Sequence, residues 1–228
     1  IGGYYGISVA GGNNNNITNN DVQDVYYYGI YHSAVNNTNT SNNKVSRPNR
    51  TSVSTTAYYA IYYTGSSENN LTNANELFNP LGSTTSTPTT YLIGHSAADA
   101  TVGNENMVTN NIIHSVSGNA TVYGLYNSGS DGVFYYHNTV SLDDASATSG
   151  TTRGFYQTTT ATGIEFKNNI ITVTRGGTGT KHCIYFNAAA STITSDNNVF
   201  YIFLSSFAKF FEESTFAYTL LGVWLLLV

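Results

Sequence analysis

The chain has 228 residues, enough for one ordinary domain or two small ones with a buried core. Its 8 Lys and Arg residues against 13 Asp and Glu residues give a net charge of −5, and only 9% of the chain is charged. So few cations argue against nucleic acid as a partner, because phosphate binding needs several basic side chains. The 40% apolar and 14% aromatic content argues against disorder. The 29 Asn and 32 Thr residues favour turns and strands over helices.

Two short units recur along the chain. The first is a small residue followed by an apolar residue and often by Tyr, with the apolar residue at Ile7, Ile30, Ile61, Ile93, Leu125, Phe155 and Ile184. The second is Asn-x-apolar, with the asparagine at Asn20, Asn43, Asn75, Asn111, Asn138, Asn169 and Asn198. The two units stay 13 to 18 residues apart while the full period varies from 23 to 36. This near-constant offset indicates a repeat architecture.

The pattern inside each repeat is that of strands. Apolar residues alternate with period two on either side of the asparagine, as in Ile164 and Phe166 before Asn169 and in Ile171 and Val173 after it. Extra length falls in polar stretches such as residues 80–90, which we expect to be loops. The sequence therefore predicts an all-β solenoid (a β-helix) of about seven coils, each with three short strands.

Between residues 4 and 200 the Asn-x-apolar units resemble the interior asparagine ladder of right-handed parallel β-helix proteins, the fold of the pectin-lyase-like superfamily. A buried asparagine at each turn can donate to a carbonyl and accept from an amide of the neighbouring coil. The position two residues after it is apolar in every repeat. We assign residues 1–202 to the β-helix. The resemblance also implies that acidic polysaccharides are the usual substrates of enzymes with this fold.

Residues 203–228 differ in composition, with no Asn and with the only Trp of the chain. The spacing of Phe203, Phe207, Phe210 and Phe211 predicts a C-terminal capping helix. A membrane-associated tail is disfavoured, because the apolar run 220–228 is far shorter than the roughly 20 residues that span a bilayer. A segment foreign to the repeats is the third alternative. The start at Ile1, without a leader, suggests a mature secreted form or a fragment of a longer solenoid.

The resemblance implies a pattern of catalytic residues for an enzyme of this fold. A hydrolase of this fold is expected to have clustered aspartates with Gly-His-Gly and Arg-x-Lys motifs, and neither motif is present. Asp143 and Asp144 are the only adjacent acidic pair before the C-terminal segment. Because Asp144 and Arg175 each lie six residues after a ladder asparagine, we expect them to form a surface ion pair. Asp143, Asp144 and Arg175 are thus weak catalytic candidates, and no catalytic site is predicted.

A metal site is not predicted either. A lyase would need several carboxylates around calcium, but the remaining carboxylates are scattered without a diagnostic spacing. Calcium therefore remains a weak alternative, and no cofactor is expected. His32 and His95 share a column two coils apart, roughly 10 Å, which is too far for one metal ion. Cys183 occupies the small-residue position of the first unit, where a buried inert thiol is expected.

A column of tyrosines is the strongest candidate for a binding site. It follows the inward apolar residue of the first unit, so its members should point outward: Tyr31, Tyr62, Tyr126, Tyr156 and Tyr185, with Gly94 interrupting. Exposed rings on a flat face offer a platform for sugars or for a partner protein. The structural alternative is self-stacking, since cross-strand aromatic pairs stabilise a sheet without any ligand.

Three functions remain open. The preferred one is a non-catalytic extracellular or cell-surface solenoid, structural or adhesin-like, that binds a polysaccharide or other glycan on the tyrosine column. The first alternative is a fragment of a polysaccharide lyase or glycoside hydrolase. The second is a subunit of a filament that self-associates through uncapped solenoid ends by strand addition.

Overall fold

In a computed structural model the protein is a parallel β-solenoid with three strands in each coil. The structure describes residues 3–50, 56–82, 88–188 and 191–202, together with the backbone of residues 208–213, 220–221 and 224–225. No helix occurs among these residues. The predicted all-β solenoid with three strands per coil is confirmed.

Equivalent strands of successive coils form three parallel sheets. The first sheet contains β1 (Tyr5–Ala10), β4 (Tyr28–Ser33), β7 (Tyr58–Thr64), β10 (Thr90–Ser96), β13 (Val122–Ser128), β16 (Thr152–Thr159), β19 (Lys181–Phe186) and β22 (Ala208–Glu213). The second sheet contains β2 (Asn16–Thr18), β5 (Asn39–Ser41), β8 (Leu71–Asn73), β11 (Asn106–Thr109), β14 (Val133–Tyr136), β17 (Ile164–Lys167), β20 (Ile193–Asp196) and β23 (Leu220–Leu221). The third sheet contains β3 (Asp21–Gln23), β6 (Lys44–Ser46), β9 (Glu76–Phe78), β12 (Ile112–His114), β15 (Thr139–Leu142), β18 (Ile170–Val173), β21 (Val199–Ile202) and β24 (Trp224–Leu225).

The core is built from columns of equivalent apolar residues. In the first sheet Ile30 pairs with Ile61, which pairs with Ile93, and all three are fully buried. In the third sheet the position two residues after each ladder asparagine forms one buried column, namely Val22, Val45, Leu77, Ile113, Val140, Ile171 and Phe200. Parallel in-register pairing thus places like residues of neighbouring coils in contact, as the repeat predicts.

The asparagine ladder is present and buried. Asn111 shows its geometry: Oδ1 accepts from the backbone N–H and from Nδ2 of Asn75, at 3.0 and 2.9 Å. Nδ2 of Asn111 donates to the carbonyl of Thr72 at 2.9 Å and to Oδ1 of Asn138 at 3.0 Å. From Asn43 to Asn198, each ladder side chain therefore satisfies backbone groups of the preceding coil that the turn leaves unpaired.

The residue before each ladder asparagine has a left-handed backbone conformation. Its φ lies between 52° and 59° at all seven positions, namely Asn19, Asn42, Ala74, Asn110, His137, Asn168 and Asn197. Asparagine adopts this conformation more readily than other residues with a side chain, because its short polar side chain bonds locally. This conformation explains why five of the seven ladder asparagines follow another asparagine.

Ala74 is a site where this rule predicts a stabilising substitution. Its φ of 53° strains an alanine but not an asparagine. We expect Ala74→Asn to raise the free energy of unfolding by about 1 kcal/mol. Urea denaturation measures the change, and Ala145→Asn, at an exposed position without a left-handed φ, is the control with no expected gain. Equal changes in both variants would contradict the assignment of strain to Ala74.

The predicted C-terminal capping helix is wrong where this segment is described. β22 pairs in parallel with β19 and places Phe211 beside Ile184, while β24 pairs with β21 and places Trp224 beside Val199. A further strand satisfies the unpaired backbone edge of the last coil, which a helix would leave open. Phe203 and Phe207 lie outside the described residues, so the boundary at residue 202 stays a prediction. No helix in the described part is long and apolar enough to span a bilayer.

Candidate functional site

Asp144 and Arg175 come together at the turn of Gly118 but form no ion pair with each other. Arg175 is buried, and its guanidinium donates to Thr152 Oγ1 at 3.0 Å and to the carbonyl oxygen of Gly118. Asp144 accepts from the N–H of Gly118 at 2.7 Å and from the Oγ of Ser146 at 2.6 Å. The expected surface ion pair is therefore wrong: both side chains bind the backbone of Gly118 instead of each other. A buried guanidinium needs acceptors, and the turn carbonyl supplies one.

These contacts also set the protonation of the two groups. Burial acts to raise the pKa of Asp144, but hydrogen bonds from Ser146 and Gly118 outweigh it and hold the pKa below its ordinary value. Burial lowers the pKa of Arg175, and the charge of Asp144 acts in the opposite direction. Neither shift produces a general acid, since Asp144 is held more firmly as a carboxylate.

Asp143 and Asp144 border a groove of about 430 Å³. The other residues that line it are Phe78, Asn79, Ser115, Val116 and Ser117, so no basic side chain faces the two carboxylates there. Catalysis by this pair, which would require a partner acid or base, stays a weak prediction.

The larger groove, about 530 Å³, is lined by carboxylates of the second sheet and its loops. Asp131 accepts from the N–H of Thr162, and Glu105 accepts from the N–H of Gly103 at 2.9 Å. Glu165 accepts from the hydroxyl of Tyr136 and from Nζ of Lys167, the latter at 2.7 Å. These carboxylates serve as acceptors for the protein's own donors. In the described part of the chain, no three His, Cys, Asp or Glu side chains are placed to hold a metal ion.

His32 and His95 lie inside the solenoid on opposite faces of the Tyr63 ring. The ring centroids are 4.3 and 4.8 Å from that of Tyr63, and both histidines are at most 1% exposed. Burial lowers the pKa of each imidazole to about 3, with a smaller contribution to His95 from His32. Both imidazoles therefore belong to the core of the solenoid. Cys183 is likewise buried, and burial raises the pKa of its thiol to about 12.

The five predicted tyrosines lie in one column on the outside of the first sheet. Successive strands pair Tyr31 with Tyr62, Tyr62 with Gly94, Gly94 with Tyr126, Tyr126 with Tyr156, and Tyr156 with Tyr185. Four of them are half-buried. Tyr62 is only 8% exposed, contrary to expectation, because its ring lies over Gly94: a Cβ at that position would be 2.6 Å from its Cδ2. Gly94 therefore makes room for the neighbouring ring.

A second tyrosine column, which the sequence analysis missed, runs beside the first. It consists of Tyr5, Tyr28, Tyr59, Tyr91 and Tyr123, each paired with the next across adjacent strands. In β4 both Gly29 and Ile30 are buried between Tyr28 and Tyr31, so strict alternation is broken and the two tyrosines share the outer surface. The sequence contains a signal for this second column, because a tyrosine recurs three residues before the position of the predicted column in four successive repeats. We call the two columns together the tyrosine face.

Ring geometry differs between the two columns. Tyr28 and Tyr59 stack at 5.0 Å and 22°, and Tyr59 and Tyr91 at 4.5 Å and 7°, so the faces of these rings cover one another. The rings of Tyr126 and Tyr156 are tilted by 57°, and those of Tyr156 and Tyr185 by 46°. Tyr28, Tyr59 and Tyr91 thus cover one another face to face, whereas neighbouring rings of the predicted column are tilted and do not.

Arg153 continues the column of stacked rings after Tyr123. Its guanidinium carbon lies 3.9 Å from the ring centroid of Tyr156 and 4.0 Å from that of Tyr185, within cation–π range. Its Nε is buried without a hydrogen-bond partner, and none of the ion pairs among the described residues includes it. The strands of this sheet from β1 to β19 contain no aspartate or glutamate. The two strands that pair with β16, namely β13 and β19, therefore offer Arg153 no acidic residue, and the nearest acids of the sheet are Glu212 and Glu213 on β22.

The tyrosine face thus combines ten phenol side chains and the guanidinium of Arg153 on one side of the solenoid. It is the candidate site, and its function has to be inferred from its chemistry. Comparison of the chain with family models, with curated proteins and with solved structures finds no match.

Proposed function

We propose that the protein is a non-catalytic β-solenoid of the extracellular space or cell surface, structural or adhesin-like, that binds glycans along the tyrosine face. The carrying observation is the concentration of ten tyrosines on strands β1 to β19, which contain no aspartate or glutamate. Phenol hydroxyls donate and accept hydrogen bonds, and ring surfaces contact the apolar side of a sugar. In this proposal the coils are of the right-handed, pectin-lyase-like type that the asparagine ladder resembles.

The arrangement in columns favours a polymer over a single sugar. Parallel pairing repeats the tyrosines at each coil, about 4.8 Å apart along the solenoid. A chain that lies along the columns meets a similar side chain at each step, so many weak contacts add. We therefore expect affinity to rise steeply with the length of the oligosaccharide.

Arg153 favours a polymer with anionic groups. Its guanidinium lies against tyrosine rings, and neither neighbouring strand carries a carboxylate, so a carboxylate or sulfate of the ligand would supply the missing acceptor. Acidic polysaccharides are also the substrate class that the resemblance implies.

Glycan arrays followed by titration calorimetry with neutral and acidic polysaccharides test the proposal. Replacing Tyr126 and Tyr156 together by alanine is expected to weaken binding at least tenfold, because both rings belong to the tilted column. Tyr136→Ala, on the second sheet, is the matched control and should leave binding unchanged. Arg153→Gln should weaken acidic ligands severalfold more than neutral ones. Binding that survives the double replacement would contradict the proposal.

An assay of polysaccharide cleavage by the purified protein tests the enzymatic alternative. Cleavage of pectin-, alginate- or glycosaminoglycan-type polymers that is lost in Asp144→Asn would overturn the non-catalytic proposal. Concentration-dependent growth into filaments would instead support self-association through the solenoid ends.

A further inference from the structure

The stacked column of the tyrosine face has a geometry suited to covalent chemistry. Parallel pairing fixes Tyr28, Tyr59 and Tyr91 opposite one another on adjacent strands. Their ring centroids are 5.0 and 4.5 Å apart, and all three side chains are half-buried, with one side open to solvent. The strand pairing therefore holds neighbouring rings in contact, and a reagent in solution can reach their exposed parts.

We propose that this column is a site of oxidative modification, at which a one-electron oxidant couples tyrosines of adjacent coils into dityrosine. Each of two neighbouring phenols loses one electron and its hydroxyl proton and becomes a phenoxyl radical. The radicals share spin with the ring carbons next to the oxygen, and a carbon–carbon bond forms between two such carbons. The ring hydrogens then move to the oxygens and restore both phenols. The pair has lost two electrons and two protons, which hydrogen peroxide accepts to give two water molecules.

Proximity makes coupling within one chain the favoured outcome. Two radicals on adjacent strands meet at an effective concentration far above that of separate molecules. Other oxidisable side chains are few, since the sequence has 19 Tyr but one Met, one Cys and one Trp, and Cys183 is buried. Arg153 takes the place of a tyrosine after Tyr123 and ends the column. The proposal therefore places the new bonds of this column in the coils from Tyr5 to Tyr123.

A dityrosine bond would join coils that are about 30 residues apart in sequence. Tyr28 and Tyr59 are separated by 31 positions, and Tyr59 and Tyr91 by 32. A cross-link that closes such a loop lowers the conformational entropy of the unfolded chain and so raises the free energy of unfolding. In a protein exposed to peroxide outside the cell, oxidation would therefore strengthen the solenoid. This inference does not depend on glycan binding.

The test treats the dilute full-length chain with a haem peroxidase and hydrogen peroxide. We expect dityrosine fluorescence in the monomer, a mass lower by two hydrogens per bond, and cross-linked peptides that join β4 to β7 or β7 to β10. The oxidised monomer should also unfold at higher urea concentration. Tyr59→Phe keeps the stacked ring but removes the reactive phenol between two partners, so the yield should fall at least threefold. Tyr201→Phe, on the third sheet, should leave the yield unchanged.

A double variant tests whether Tyr59→Phe lowers the yield by removing the phenol or by changing the packing of the column. With Tyr28 and Tyr91 both replaced by phenylalanine, Tyr59 keeps its phenol but loses both partners in its own column, so cross-links from Tyr59 to positions 28 and 91 should disappear. The ring of Tyr62, 4.3 Å away on the same strand, remains, and a bond to it is distinguished by its peptide mass. A full yield in Tyr59→Phe would overturn the proposal. Cross-links that occur only between chains, and increase with protein concentration, would overturn it as well.

Discussion

Replacement of Asn111 by alanine is expected to lower the free energy of unfolding by about 4 kcal/mol. The side chain is 1% exposed and takes part in four hydrogen bonds of 2.9 to 3.0 Å that have been described for the ladder. Without it, the N–H of Asn75 and the carbonyl of Thr72 lose their ladder partner in a buried position. Each buried polar group left unpaired costs about 1–3 kcal/mol, and the loss of several together gives the expected total.

Urea denaturation of Asn111→Ala measures this loss. Asn104→Ala removes an exposed asparagine whose side chain bonds only Thr101, and it should change stability by no more than about 0.5 kcal/mol. Hydrogen exchange at the amide of Asn75 should accelerate in the first variant and stay constant in the second. A change below about 1 kcal/mol in Asn111→Ala would mean that water replaces the ladder contacts at little cost.

The ladder could be predicted because backbone chemistry dictates it at every coil. A turn with unpaired amide and carbonyl groups needs a side chain with both a donor and an acceptor, and the same residue type therefore returns at each period. The left-handed residue before it explains the accompanying asparagine. A shorter ladder at another turn, formed by Thr38, Asn70 and Asn106, escaped notice. With Asn15, whose Nδ2 donates to Oγ1 of Thr38 at 3.1 Å, it spans four coils and mixes residue types, which is too brief for a periodic signal.

The outer surface was predicted less well, because single residues decide it. Two consecutive inward residues in β4 bring Tyr28 to the same side as Tyr31, and period-two counting cannot foresee such a step. Arg175 and Asp144 occupy equivalent positions in adjacent coils. The guanidinium of Arg175 nevertheless lies inside the protein, because it donates a hydrogen bond to the carbonyl of Gly118. Sequence position thus specified the coil and strand correctly, whereas the direction of a side chain depended on acceptors that only the folded loops provide.

The two core histidines should make the protein lose stability in mild acid. Burial holds the pKa of His32 and His95 at about 3 in the folded state, against an ordinary value of 6.5. The unfolded chain therefore binds more protons than the folded one between these values, so the histidine contribution is complete above pH 6.5 and falls with decreasing pH. Because both imidazoles take up a proton only on unfolding, the free energy of unfolding falls by up to about 2.7 kcal/mol for each pH unit of acidification. Between pH 7.5 and 5 the expected loss is about 4 kcal/mol.

Urea denaturation at a series of pH values from 7.5 to 5 measures this slope. His95→Gln should halve it, since the equivalent positions of the next two coils carry Asn127 and Gln157, which accommodate an amide. His137→Asn changes an exposed histidine and should leave the slope intact. Carboxylates with lowered pKa, such as Glu76 and Asp144, start from ordinary values of 4.5 and 3.8 and so act mainly at more acidic pH. A stability that stays constant from pH 7.5 to 5 would show that His32 and His95 accept protons inside the folded solenoid, because only equal proton uptake by both states cancels the slope.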